Sequence, residues 1–130
     1  MHIETSKKRL AKSAPEVFAF LTDFNNFERL MPDSVAKFEL LTEDSFVFAL
    51  SGMPEIVLKR KEQQPHSKLI LGAASDKLPF SLNIDISAVA EGESEVQWSF
   101  EGEFNAMMAM MVKTPITNFM NTLSEKLVEI

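Results

Sequence analysis

The chain of 130 residues contains no cysteine and no tyrosine, one tryptophan and four glycines. Without cysteine it forms no disulfide and no thiolate metal site. Its two histidines, His2 and His66, are too few and too isolated to indicate a metal site or an activated nucleophile. Four glycines provide no glycine-rich phosphate loop. The sequence therefore predicts no metal, no cofactor and no catalytic residue, and it leaves open whether the protein is an enzyme.

Long apolar runs are missing as well, and so is an excess of positive charge. No segment approaches the roughly 20 apolar residues of a membrane span, and residues 1–10 lack the apolar core of a signal peptide. A net charge of −6 disfavours nucleic acids and anionic membranes as partners. The basic cluster of residues 59–61 fits a solvated strand. We expect a cytoplasmic protein with no nucleic acid partner and no integral membrane association.

The chain is rich in two apolar side chains, with eleven phenylalanines and eight methionines. Its length fits one domain, residues 1–130, and no segment has the composition of a linker. A domain of this size buries roughly two-thirds of its unfolded surface and needs no disulfide or metal to hold it together. Because methionine side chains are flexible, such an interior could adapt to a bound guest, or it could be an ordinary core.

Apolar and polar residues alternate through most of the region from Val35 to Phe104, which is typical of strands with one buried and one solvated face. Short connections between these segments favour an antiparallel meander. An edge strand is expected before them, in residues 2–11. The later strands are predicted within residues 36–40, 46–50, 56–64, 68–74, 80–88 and 96–104.

Three segments have helical patterns. Ser13-Ala14-Pro15-Glu16 is a capping box followed by an apolar stripe, which predicts a short first helix. Residues 25–31 predict a second short helix that Pro32 ends. Residues 106–130 predict one long, methionine-rich helix, in which Pro115 should kink the helix or divide it in two.

The residues Ser13–Asp23, then Phe27–Pro32, and the terminal helix after Phe104 resemble the START/Bet v 1-like superfamily (SRPBCC) over nearly the whole chain. This superfamily includes polyketide cyclase-like and coenzyme Q-binding relatives. The resemblance implies an α+β helix-grip fold, in which a curved antiparallel sheet wraps around a long C-terminal helix and two short helices follow strand 1. It also implies an elongated apolar cavity between sheet and helix, where relatives bind lipids, sterols, polyketides, quinones and plant hormones.

Arg60 is the candidate polar anchor, because it shares its strand parity with Ile56 and Leu58. A guanidinium facing a cavity could hold a ligand carboxylate or hydroxyl. Alternatively, Arg60 reaches water or pairs with a carboxylate, with Glu62 as one candidate. The full set of candidate ligand-binding residues comprises inward strand positions, the short-helix region and the terminal helix: Phe24, Phe27, Met31, Phe38, Phe48, Leu58, Arg60, Leu82, Trp98, Phe100, Met108, Met111, Val112 and Phe119.

Three functions remain open at this point, and binding of a small, mostly apolar ligand is favoured. The second is a cyclase- or dehydratase-like reaction on an apolar carbonyl substrate, with Arg60 as electrostatic stabiliser and Glu62 or Asp85 as base. Cyclase-like relatives place Tyr, Arg and His in the cavity, whereas this chain has no Tyr. The third is an interaction module with a filled cavity, in which a patch of residues 107–111 forms a homodimer face.

Overall fold

The computed structural model describes residues 1–33, 35–50, 55–73 and 80–130. The helices in these ranges are α1 (Ala14–Thr22), the 3-10 helix η1 (Phe24–Leu30) and α2 (Ala106–Val128). The strands are β1 (His2–Glu4), β2 (Lys8–Leu10), β3 (Val35–Thr42), β4 (Ser45–Leu50), β5 (Ile56–Gln64), β6 (Lys68–Ala73), β7 (Phe80–Ala90) and β8 (Glu93–Gly102).

The strands form an antiparallel sheet in the order β1-β8-β7-β6-β5-β4-β3, and β2 also pairs with β8. β3 to β8 therefore form the predicted meander, and β1 and β2 pair with its last strand, β8. The helices cover one face of the sheet, so the predicted α+β architecture is confirmed. The core lies between that face and the helices, which places the inward side chains of β4 to β8 opposite α2.

The N-terminal strand differs from its prediction, because it is divided into β1 and β2 around a buried Thr5. The backbone N–H of Thr5 donates to the carbonyl of Trp98 at 2.9 Å, and the N–H of Trp98 donates to Thr5 Oγ1 at 3.2 Å. The Thr5 hydroxyl thus takes the place of a backbone carbonyl as the acceptor for the Trp98 N–H, at the point where the N-terminal strand is interrupted. The strand predicted over residues 68–74 is β6, which ends at Ala73; Ala74 lies outside the described residues.

Side-chain caps start both short helices. The Glu16 N–H donates to Ser13 Oγ at 3.3 Å and the Ser13 N–H donates to Glu16 Oε1 at 3.4 Å, which is the predicted capping box. Directly after α1, Asp23 caps the start of η1, since the Asn25 N–H donates to Asp23 Oδ1 at 3.1 Å. These caps direct the chain from α1 into η1 with the phenylalanines of η1 turned into the core.

The long helix α2 is continuous through Pro115, so it is not divided in two. Its second half is anchored by a buried face of Ile116, Phe119, Met120, Leu123 and Leu127, spaced three and four residues apart. Its first ten residues, 106–115, include no buried side chain. In the part of the chain that the structure covers, no helix combines the length and the apolar character needed to cross a membrane.

Candidate functional site

The space between the sheet and α2 contains a small cavity of about 20 Å3. That volume has room for one water molecule, and the lining offers no polar group to bind it. Drug-sized ligands occupy pockets of roughly 300–1,000 Å3, so a ligand of that size enters only if the lining moves. The cavity is lined by Phe48, Leu50, Ile56, Leu58, Phe80, Leu82, Phe100, Ile116, Phe119 and Met120.

Strand register and helix spacing bring these walls together. On the sheet, Leu82 is paired with Phe100, and Phe48 is paired with Ile56, so each pair presents its side chains to the same face. On α2, Ile116, Phe119 and Met120 lie one turn apart on the buried face. The ring of Phe119 stacks on that of Phe48, with centroids 4.8 Å apart and planes inclined by 7°. This stack joins α2 to β4 at the wall of the cavity.

Not all of the predicted site residues lie at this cavity. Its lining includes five residues that the prediction omitted, namely Leu50, Ile56, Phe80, Ile116 and Met120. The signal for them was already in the sequence, because each shares its strand parity or helix face with a predicted neighbour. The predicted residues that do line the cavity are Phe48, Leu58, Leu82, Phe100 and Phe119.

A second group of predicted residues forms an aromatic cluster around Phe46. The rings of Phe24 and Phe27 each lie 5.2 Å from that of Phe46, and the ring of Phe38 lies 5.3 Å from it. Phe24 is 2% exposed and is therefore a packed residue of the core. Met31, at the end of η1, is also buried. This packing fills the space between η1 and the sheet.

Trp98 is buried on the inward face of β8, next to the aromatic cluster. Its ring lies edge-on to Phe27, with centroids 6.3 Å apart and planes inclined by 81°. Trp98 does not line the cavity, whereas Phe100, its neighbour on the same face of β8, does. Trp98 therefore lies between the aromatic cluster and the cavity.

Arg60 is placed outside the cavity and acts as a clamp. Its Nε donates to Asp44 Oδ1 at 2.9 Å, and its Nη2 donates to the carbonyl of Thr22 at 2.8 Å. Its guanidinium carbon lies 4.5 Å from the ring centroid of Phe24. Arg60 keeps the strand parity of Ile56 and Leu58, because it is paired with the buried Leu71 before the register shift. Its guanidinium is nevertheless directed away from the cavity, and the carboxylate that pairs with it is that of Asp44. Arg60 thus joins β5 to the end of α1 and to the β3–β4 turn.

We predict that Arg60→Lys lowers the free energy of unfolding by about 1–3 kcal/mol, because a lysine keeps the charge but loses the planar set of donors. Urea unfolding followed by circular dichroism measures the change. Lys59→Arg is the matched control, since Lys59 is exposed on the same strand. Equal stability of Arg60→Lys and the wild type would show that the clamp contributes nothing.

The last group of predicted residues lies in the loosely covered half of α2. Met111 is 68% exposed, whereas Met108 and Val112 are half-buried. Their neighbours Met107 and Met110 are 73% and 83% exposed. Val112 packs against the core, so this half of the helix touches the interior along one side only.

Two open surface clefts are larger than the cavity. One, of about 560 Å3, lies along the edge of β1, β8 and β7, where His2 contacts Glu101 at 3.2 Å and Glu4 at 3.3 Å. The other, of about 400 Å3, lies between η1, β3 and α2, where Lys126 Nζ donates to the carbonyl of Met31 at 2.6 Å. Within the described ranges, no group of three or more histidine, aspartate and glutamate side chains is placed to hold a metal ion.

An exposed ion pair lies at the edge of the second cleft. Lys37 Nζ donates to Glu55 Oε1 at 2.9 Å. This hydrogen bond, with the negative charge of Glu55, raises the pKa of Lys37 above its ordinary value. For Lys37, the contribution to stability is fully present below the ordinary lysine pKa and is lost as the pH rises through its raised pKa. It therefore gives the site no pH dependence near neutrality.

Comparison of the sequence with models of protein families gives no match, and comparison with curated proteins gives none either. Solved structures, in contrast, are similar over almost the whole chain. A START superfamily protein from Mycobacterium smegmatis has a TM-score of 0.71 at 9% identity, covering 98% of this chain and 97% of that one. A norcoclaurine synthase point mutant from Thalictrum flavum, in complex with a transition-state analogue, has a TM-score of 0.73 at 11% identity, covering 99% and 94%. The chain has the START/Bet v 1-like fold.

The helix-grip prediction is therefore confirmed by its solved neighbours. The di-domain ARO/CYC BexL also has this fold, with a TM-score of 0.68 at 12% identity over 98% of this chain and 46% of that one. Identities of 9–12% establish a shared fold and no shared activity. The function of this chain therefore depends on the chemistry of its own cavity.

Proposed function

We propose that this is a cytoplasmic protein that binds one small, mostly apolar ligand between its sheet and α2. The observation that carries the proposal is the composition of the cavity lining, in which none of the ten side chains has a nitrogen or oxygen atom. Burying apolar ligand surface there is favoured by roughly 25 cal/mol per Å2. The norcoclaurine synthase mutant with its bound analogue supports the ability of this fold to hold an organic molecule.

The interior must enlarge to accept such a ligand, and α2 is the element that can move. Its first half has no buried residue, and Pro115 removes the N–H that would bond the carbonyl of Met111. Outward movement of this half costs little packing. Met120, a cavity wall with three rotatable bonds, can then repack around a guest. A lipid, a quinone, a sterol or a polyketide-like molecule meets the requirement for an apolar body.

Binding is favoured over a cyclase-like reaction because the cavity lining supplies no acid or base. A cyclisation or dehydration requires proton transfer from a positioned group. Arg60, the candidate stabiliser, holds Thr22 and Asp44 instead of facing the cavity. Asp85 is exposed on β7 and contacts Lys68 at 3.9 Å, so it is not placed to act as a base inside the protein.

We predict that Ile116→Phe abolishes ligand binding while the fold persists. Ile116 is a cavity wall, and the larger ring fills the remaining 20 Å3. The measurement is the shift in melting temperature, and the dissociation constant by calorimetry, with a panel of quinones, sterols, alkyl ketones and fatty acids. Met110→Phe on the exposed side of the same helix is the matched control, and it should bind as the wild type does.

A wild type that binds no member of the panel would refute the proposal and favour the second candidate function, an interaction module with a filled interior. Two observations favour that candidate: the small cavity volume, and the exposed side chains of Met107, Met110 and Met111. Large exposed apolar groups on one face are typical of contact surfaces. Sedimentation equilibrium distinguishes the two functions, because a homodimer through this face dissociates when Met110 and Met111 are replaced by lysine.

A further inference from the structure

The indole N–H of Trp98 is a buried donor without an acceptor. Trp98 is 0% exposed, and its Nε1 has no hydrogen-bond partner in the part of the chain that the structure describes. An indole N–H can only donate, and the edge-on ring of Phe27 at 6.3 Å offers at most a weak π acceptor. Native interiors contain few such groups, because each one carries an uncompensated desolvation penalty.

Other unpartnered polar atoms in the described interior are less informative. The hydroxyls of Ser94 and Ser124 are also buried without a partner. A hydroxyl rotates and both donates and accepts, so small shifts can satisfy it. The indole is rigid and fixed by its packing against the aromatic cluster. Trp98 is therefore the buried polar group that needs a hydrogen-bond acceptor at one fixed position.

Strand register places Trp98 one inward-facing position beyond the cavity, two residues before Phe100 on β8. Leu82 and Phe100 are paired on β7 and β8, and both line the cavity. The next inward pair is Ile84 and Trp98. Two residues along a strand span about 7 Å, so a ligand that fills the cavity needs to extend by only a few atoms to reach the indole.

We infer that the ligand carries one neutral oxygen acceptor, such as the carbonyl of a ketone, an ester or a quinone, which accepts a hydrogen bond from Trp98 Nε1. This inference rests on the proposed function, and it defines the ligand further. The apolar part of the ligand occupies the enlarged cavity, and its oxygen lies at the deeper end. An apolar site with one placed polar group is the usual way to fix orientation as well as affinity.

A carboxylate is the wrong acceptor for this site. No cationic side chain lines the cavity, and the guanidinium of Arg60 is bonded to Thr22, Asp44 and Gln63. Burying a charge without a partner is far more unfavourable than burying a neutral carbonyl. The site therefore selects ketones and esters over fatty acid anions of the same length.

Three probes of equal chain length test the inference: 2-octanone, 2-methyl-1-octene and octanoate. The first two differ only in a carbonyl oxygen in place of a methylene group. Because the chain contains one tryptophan, the protein labelled with 15N shows one indole N–H resonance. We expect 2-octanone to move that proton downfield, 2-methyl-1-octene to bind without moving it, and octanoate at pH 7 to bind at least tenfold more weakly than 2-octanone.

The variant Trp98→Phe keeps an aromatic ring and removes the donor. In the wild type, the hydrogen bond should make 2-octanone bind more tightly than 2-methyl-1-octene. In the variant, the ratio of the dissociation constant of 2-methyl-1-octene to that of 2-octanone should fall about fivefold, which is the usual contribution of one neutral hydrogen bond to affinity. The ratio compares two ligands on one protein, so a general loss of stability does not affect it. If the variant does not fold, the indole resonance of the wild type still decides the question.

Each outcome has one meaning. Binding of both neutral probes without a differential shift of the indole proton overturns the inference and leaves the proposed function standing. Octanoate binding as tightly as 2-octanone overturns the requirement for a neutral acceptor. Failure of all three probes to bind overturns the proposed function, and this inference with it.

Discussion

Phe119→Ala is expected to lower the free energy of unfolding by about 3–5 kcal/mol, the usual effect of removing a buried phenylalanine. Phe119 is 6% exposed and stacks on Phe48 at 4.8 Å. Removing its ring leaves a void that joins the existing cavity of about 20 Å3. Apolar voids of this kind stay dry and bind benzene. Saturating benzene should therefore restore part of the lost stability, measured by urea unfolding with and without benzene.

Met110→Ala is the control for Phe119→Ala, because it truncates a side chain that is 83% exposed on the same helix. Its free energy of unfolding should stay within about 0.5 kcal/mol of the wild type, and benzene should not change it. A destabilised Phe119→Ala that gains nothing from benzene would mean that the interior collapses onto the void. That result would contradict an interior that can enlarge around a guest.

Alternation along the strands predicted the walls of the interior but not its volume. Phe48, Leu58, Leu82 and Phe100 were correctly placed on the inward face because period two assigns faces without any knowledge of tertiary packing. The volume depends on how closely α2 approaches the sheet and on which rotamers fill the gap. The stack of Phe119 on Phe48 is such a tertiary choice, and no spacing in the sequence encodes it.

Arg60 shows where parity reasoning ends. Parity correctly pairs its backbone with the inward Leu71, but the long side chain carries the guanidinium past the cavity to the carbonyl of Thr22, 38 positions away. The partners of such a side chain have no signal in a single sequence, because they come from elements that only the tertiary fold brings together. The same holds for Phe24 and Phe27, whose role depends on their packing around Phe46.

Capping, in contrast, was predictable in detail. The Ser13–Glu16 box forms with both of its hydrogen bonds because its partners are three residues apart and need no tertiary contact. The long helix was predictable from the spacing of its buried face, and of the two effects predicted for Pro115, a kink or a division, the division does not occur. A helix can continue through proline when its neighbours hold it, and the buried face from Ile116 onward does so here.

Pro115→Ala is expected to raise the free energy of unfolding by about 2 kcal/mol. Proline inside a helix costs about 3 kcal/mol relative to alanine, and the greater freedom of the unfolded variant offsets part of that gain. The alanine N–H can bond the carbonyl of Met111 and join the exposed first half of α2 to its anchored second half. Hydrogen exchange of the amides of residues 106–114 should slow, and entry of 2-octanone should slow with it, because this half of the helix must move to admit a ligand.

Pro15→Ala provides the matched control for Pro115→Ala. Pro15 lies in the first turn of α1, where the missing N–H has no intrahelical partner in any case. Its replacement should change stability by less than about 0.5 kcal/mol and leave ligand entry unchanged. If Pro115→Ala stabilises the protein and ligand entry keeps its wild-type rate, the first half of α2 is not the element that opens. The route into the interior would then have to be sought elsewhere around the cavity, and the proposed mobility of this helix would be wrong even if binding itself is demonstrated.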